Sequence, residues 1–133
     1  MTAPSKVTAI LGREAPDYSV SLSARQHALK GDEAFDDGGS DSGLRPFELV
    51  LSGLASCTAI TLRMYAQRKR WDLADVRVEV RLHKRAEAFS IERHVEVTGE
   101  LSPEQRTRLA DICERTPVTL LIKQGASIET TLR

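Results

Sequence analysis

The sequence predicts an α+β fold: strands, one long central helix, a β-hairpin, a second helix and a last strand. Three observations carry that reading. Between Pro46 and Trp71, apolar or small residues recur at Phe47, Val50, Leu51, Leu54, Cys57, Thr58, Thr61, Met64 and Tyr65, the spacing of one helix face. After Trp71 the period drops to two, with Val76, Val78, Val80 and Leu82 alternating with Arg77, Glu79, Arg81 and His83. Ser102-Pro103-Glu104-Gln105 then has the form of a helix start: a serine cap, proline at the first position, an acid in the first turn, and glutamine three residues after the serine.

A chain of 133 residues, 41% hydrophobic and 29% charged, is sized for one domain with its own core, so residues 1–133 are expected to form a single domain. Lys plus Arg number 19 and Asp plus Glu number 19, so no basic excess points to nucleic acid. The opening MTAPSKVTAIL lacks the charged start and continuous apolar run of a secretory leader. No stretch approaches the roughly 18 apolar residues of a membrane span. A cytoplasmic protein without membrane attachment is expected. Two cysteines, Cys57 and Cys113, are too few for a disulfide framework and stand for core packing or for chemistry.

Taken in order, Lys6 to Leu11 and Tyr18 to Leu22 read as strands around a turn-rich segment, and residues 24–30 as a third. Residues 31–43 are acidic, glycine-rich and loop-like. The central helix has Pro46 suited to its first turn and Arg68, Lys69 and Arg70 suited to the negative end of its dipole. Gly53, Ala55, Ser56 and Ala59 surround Cys57 with small side chains that would admit a close neighbour. Beyond it, a hairpin turning at Ala86-Glu87 sets Arg77 opposite Glu96, Glu79 opposite His94 and Arg81 opposite Glu92, with Arg93 interrupting the apolar face of the second strand. The inward face, Val76 to Leu82 with Ile91, Val95 and Val97, is expected to pack on the central helix and to leave His83 and His94 outside. The second helix is expected to run to about residue 115, because Pro117 disfavours a helical Thr116. Residues 118–122 and 126–132 read as short apolar or strand segments.

Cys57 is read in two ways: a small buried hydrophobe, or a nucleophile activated by cations that the fold brings to it, for which Arg13, Arg25 and Arg45 are the candidates. His27, His83 and His94 lack metal-ligand spacing, and the glycine-rich loop lacks the lysine and the strand context of a phosphate cradle, so neither metal nor cofactor is expected.

The stretch GGSDSGLRPFELVLSGLASCTAITLRMYAQRKRW resembles the OsmC-like branch of the OsmC/Ohr family. It shares the glycine-rich loop, the Pro-x-Glu-Leu helix start, the cysteine after small residues and the Thr-x-x-Met/Leu-Tyr-Ala continuation. The resemblance implies an intertwined homodimer with strands packed around two central helices. It also implies thiol-dependent reduction of organic hydroperoxides, with Cys57 as the peroxidatic residue. The family's resolving cysteine precedes Pro-Val, where this chain has Thr116, and Cys113, three residues earlier, is the substitute on offer. Glu48 stands one residue beyond the family's catalytic glutamate. Helix geometry sets it opposite Cys57, and a first-turn acid accounts for it as well. Arg13 loosely matches the family's arginine near the N-terminal hairpin. Partners implied are a second copy of the chain, a small hydroperoxide and a thiol reductant. The competing expectation is a non-catalytic protein of the same fold holding a small hydrophobic ligand at the dimer interface.

Overall fold

A computed structural model describes residues 4–133; residues 1–3, which begin the segment read for a leader, lie outside the described residues. The chain divides into two compact units, one ending at Val50 and one beginning at Leu51.

In the first unit β1 (Thr8–Ile10), β2 (Val20–Ala24) and β3 (His27–Gly31) form an antiparallel sheet in that order. Ala24 pairs with His27, leaving a two-residue turn in which Arg25 takes a φ of 55°. The glycine-rich segment is a loop, as expected, and it is wound around a buried carboxylate. Asp32 accepts from the amides of Glu33 (2.7 Å), Ser40 (3.3 Å) and Ser42 (3.1 Å) and from the Ser42 hydroxyl (2.7 Å). Winding that tight excludes side chains: a Cβ at Gly39 would lie 2.0 Å from the Glu33 carbonyl oxygen, and one at Gly43 2.1 Å from that of Lys30.

Helix α1 spans Pro46–Lys69. Its start is held by Glu48, which accepts from the Arg45 amide (2.8 Å) while the Leu49 amide donates to the Arg45 carbonyl. Its end is a Schellman turn: Arg70 sits at a φ of 60° and donates to the Gln67 carbonyl, and Trp71 donates to that of Ala66. The apolar contact that accompanies such turns is Trp71 against Tyr65, edge to face at 5.5 Å. By length and composition alone α1 could cross a membrane, which corrects the expectation that no stretch comes near to doing so. Its buried Leu54, Thr58, Leu62, Tyr65 and Ala66 are core-like.

In the second unit β4 (Val76–Arg85) and β5 (Ala88–Val97) pair antiparallel in the expected register, with Arg77 opposite Glu96, Glu79 opposite His94 and Arg81 opposite Glu92. The ion pairs themselves differ from that expectation. Glu79 pairs along its own strand with Arg77 and Arg81, and Glu92 takes His83 (3.0 Å) and His94 (2.5 Å). Three of these four pairs join residues two apart on one strand, which share a face, and only His83 with Glu92 is a cross-strand diagonal. Both histidines remain on the outward face. From the inward face Val76, Val95 and Val97 pack on the core of Leu62, Tyr65, Ala66, Leu73, Leu109 and Cys113. Each fully buried leucine there contributes about 2 kcal/mol.

Helix α2 (Pro103–Cys113) carries the full capping box: the Gln105 amide donates to the Ser102 hydroxyl, and the Ser102 amide to the Gln105 side chain. Residues 118–122 are not a strand but part of helix α3 (Pro117–Gln124), and residues 126–132 form no strand. Thr116-Pro117 ends one helix and begins the next, with threonine as cap, proline at the first position and Gly125 as the stop.

Candidate functional site

Cys57, itself half-buried, sits on α1, and the start of α3 is set against it. The first turn of α3 shows why the contact forms. Pro117 has no N–H, the Thr119 amide donates to the Thr116 hydroxyl (3.4 Å), and the Leu120 amide donates to the Thr116 carbonyl (3.0 Å). That leaves the Val118 amide, which a helix cannot satisfy internally at this position. It donates to Cys57 Sγ at 3.5 Å. The Thr61 hydroxyl, one turn along α1, lies 3.9 Å from the same sulfur.

Next in sequence to the two members of the Val118–Cys57 pair, Thr119 and Thr58 join Thr116 in a set of buried hydroxyls gathered around Arg93. Arg93 is the residue that interrupts the apolar face of β5, and its side chain is only 12% exposed. Nη1 donates to Thr58 Oγ1 (3.0 Å) and Thr119 Oγ1 (2.9 Å), and Nη2 to the Cys113 carbonyl (2.8 Å) and Glu114 (3.4 Å). Thr58 passes its own proton back to the Leu54 carbonyl (2.8 Å), while Thr116 and Thr119 hydroxyls meet at 2.6 Å. Among the described residues no buried side-chain nitrogen or oxygen is left unpaired. Lys123 binds the outer carboxylate oxygen of Glu114 (2.9 Å), and Lys123 and then Arg93 hold that carboxyl below its usual range. The sequence signalled this cluster only as a break in the alternation of β5.

Cys113 belongs to the hydrophobic core, where burial pushes its thiol above the ordinary value. Glu48 is committed to the start of α1, and the hydrogen bond from the Arg45 amide holds its carboxyl below the usual range. Arg13 is an exposed residue of the turn closed by the Ala15 amide on the Gly12 carbonyl, Arg25 an exposed hairpin-tip residue, and Arg45 an exposed helix cap. In the second unit the guanidinium bonded to Thr58, the residue after Cys57, is that of Arg93, which was not among the three arginines considered from the sequence. Along the same helix, Ala59, Ile60, Arg63, Met64, Asp75 and Val76 line an open groove of about 400 Å³. Among the described residues no group of three or more histidine, cysteine or acidic side chains is placed to hold a metal.

The family model described as OsmC-like protein matches residues 39–131. The chain belongs to the OsmC-like family. Its fold is shared with solved OsmC structures across nearly the whole length. One is the OsmC-like protein of Mycoplasma pneumoniae, at 20% identity and a TM-score of 0.77, covering 92% of this chain and 89% of that one. Another is the organic hydroperoxide resistance protein OsmC of Legionella pneumophila, described also as a predicted redox protein, at 22% identity and 0.67, covering 92% and 91%. A third is the organic hydroperoxide resistance protein OhrB of Bacillus subtilis, at 22% identity and 0.62, covering 91% of each. A comparison with curated protein sequences finds no match.

Proposed function

We propose that this OsmC-like protein is a thiol-dependent organic hydroperoxide reductase that works through one cysteine. The observation that carries the reading is the Val118 amide on Cys57 Sγ: a fixed donor at a helix start suits negative charge on the sulfur and on an oxygen bound to it. The names of the Legionella and Bacillus neighbours support the choice of substrate class. In the proposed reaction the Cys57 thiolate attacks the distal oxygen of the hydroperoxide. An S–O bond forms, the O–O bond breaks, and the alcohol leaves with a proton, so that the cysteine is oxidised to a sulfenic acid. At the position of the family's resolving cysteine stands Thr116, fully buried and engaged as the cap of α3. An external thiol then attacks the sulfenic sulfur, water leaves, and a second external thiol releases Cys57 as the thiol while the reductant becomes a disulfide.

The working unit in this reading is a homodimer. A second reading, a non-catalytic binder of a small hydrophobic molecule, is favoured by the same threonine and by the open groove with Ile60 and Met64.

Consumption of an organic hydroperoxide by the purified protein, with monothiol and dithiol reductants compared, separates the two. Wild type and Cys113→Ser are expected to turn over and to show a sulfenic acid at Cys57 by mass spectrometry, and Cys57→Ser to do neither. A Cys57–Cys113 disulfide in the oxidised wild type would replace the one-cysteine scheme with a rearranged two-cysteine one. Cys57 left unmodified by excess peroxide would favour the binding protein.

A further inference from the structure

We infer that Arg93 is a positioning residue for the Cys57 thiol, holding the start of α3 where the Val118 amide addresses the sulfur. The inference rests on the reading of Cys57 as the reactive residue. The acceptors of this one guanidinium come from three helices or their ends. Thr58 on α1 is next to Cys57, Thr119 in the first turn of α3 is next to Val118, and the Cys113 carbonyl and Glu114 mark the end of α2. Each of the two hydroxyls bonded by Nη1 therefore neighbours, in sequence, one member of the N–H to sulfur pair.

The remaining hydrogen bonds of these two hydroxyls do not involve Arg93. Thr58 keeps the Leu54 carbonyl, and Thr119 keeps Thr116 and the Cys113 carbonyl (3.3 Å). What the guanidinium adds is registration between α1 and α3, through a planar fork of donors that a lysine ammonium cannot reproduce. The charged groups joined to this cluster are Arg93 itself, Glu114 and Lys123.

The test is the rate of Cys57 alkylation by iodoacetamide as a function of pH, followed residue by residue by mass spectrometry in the full chain. Arg93→Met is expected to slow the reaction at neutral pH about tenfold and to move its pH profile upward, with helix content retained. Arg93→Lys is expected to recover part of the rate. Thr58→Val, which removes the Nη1 acceptor on α1 and otherwise only the bond to the Leu54 carbonyl, is expected to act in the same direction and decides the matter if Arg93→Met does not fold. An unchanged or faster reaction in the folded variants, with the wild-type pH profile, would overturn the inference. Alkylation needs no peroxide, so Arg93-dependent reactivity in a protein that leaves hydroperoxides intact would remove the peroxidase reading and keep this one.

Discussion

At Thr116 a single hydroxyl has a structural role at the position where relatives in the family are expected to carry a second redox sulfur. It caps α3 and meets Thr119 inside the buried cluster. Thr116→Cys is expected to lose about 1 kcal/mol of cap stability. In exchange, its introduced thiol is expected to form a disulfide with Cys57 on treatment with a stoichiometric hydroperoxide, read by peptide mapping. A variant that instead accumulates sulfenic acid would mean that position 116 does not face the Cys57 sulfur. Asp32 is the other residue whose neighbours define its role. The Ser42 hydroxyl, then the amides of Ser42, Glu33 and Ser40, hold its carboxyl below the ordinary 3.8. A carboxyl with a depressed folded-state value stabilises the fold above its unfolded value and ceases to do so as pH falls through the folded one. Asp32→Asn should therefore unfold at lower urea than wild type at pH 7, with the difference closing as pH falls through the lowered folded-state value of the carboxyl. Equal midpoints at pH 7 would show that the loop is held without this charge.

The elements are ended by local chemistry that can be altered one residue at a time. The Schellman turn after α1 places an arginine, not a glycine, in the left-handed region at residue 70. A side chain there costs roughly 1 kcal/mol, part of which the greater chain freedom of glycine offsets. Arg70→Gly is expected to raise stability by about 0.5 kcal/mol in chemical denaturation. A loss would mean that the Arg70 side chain contributes more than its backbone strain costs. Helix α3 illustrates the opposite case, in which composition and punctuation disagree. Val118, Thr119, Leu120, Leu121 and Ile122 are rich in strand formers, yet a cap, an N1 proline and a terminal glycine bracket them, and the helix forms.

Over the whole molecule, α1 leaves Phe47, Val50, Ile60 and Met64 more than half exposed. Covering what remains exposed of four such side chains would contribute about 1 to 2 kcal/mol each, an apolar surface that a second copy of the chain is expected to cover. Sedimentation at micromolar concentration is expected to return a dimer, and Met64→Glu to weaken it. A well-folded monomer throughout that range would end the dimer reading and with it the proposal of a shared hydrophobic cleft.

Periodicity and punctuation were enough to read α1, the β4–β5 register and the capping box of α2 from the sequence, because each depends on neighbours a few residues away or directly across one turn. Cys57, the residue proposed to react, was singled out by its resemblance to a family motif. The sequence did not reveal which groups surround its sulfur. Val118 lies 61 residues from Cys57, and Arg93 lies 35 from Thr58 and 26 from Thr119. No local pattern encodes contacts of that separation. An arginine inside an apolar strand face looked like an interruption until α1, α2 and α3 brought their oxygens to it. Only folding decided that the charge at position 93 would be shared among three helices, bonded to the residue after Cys57 on one and to the residue after Val118 on another.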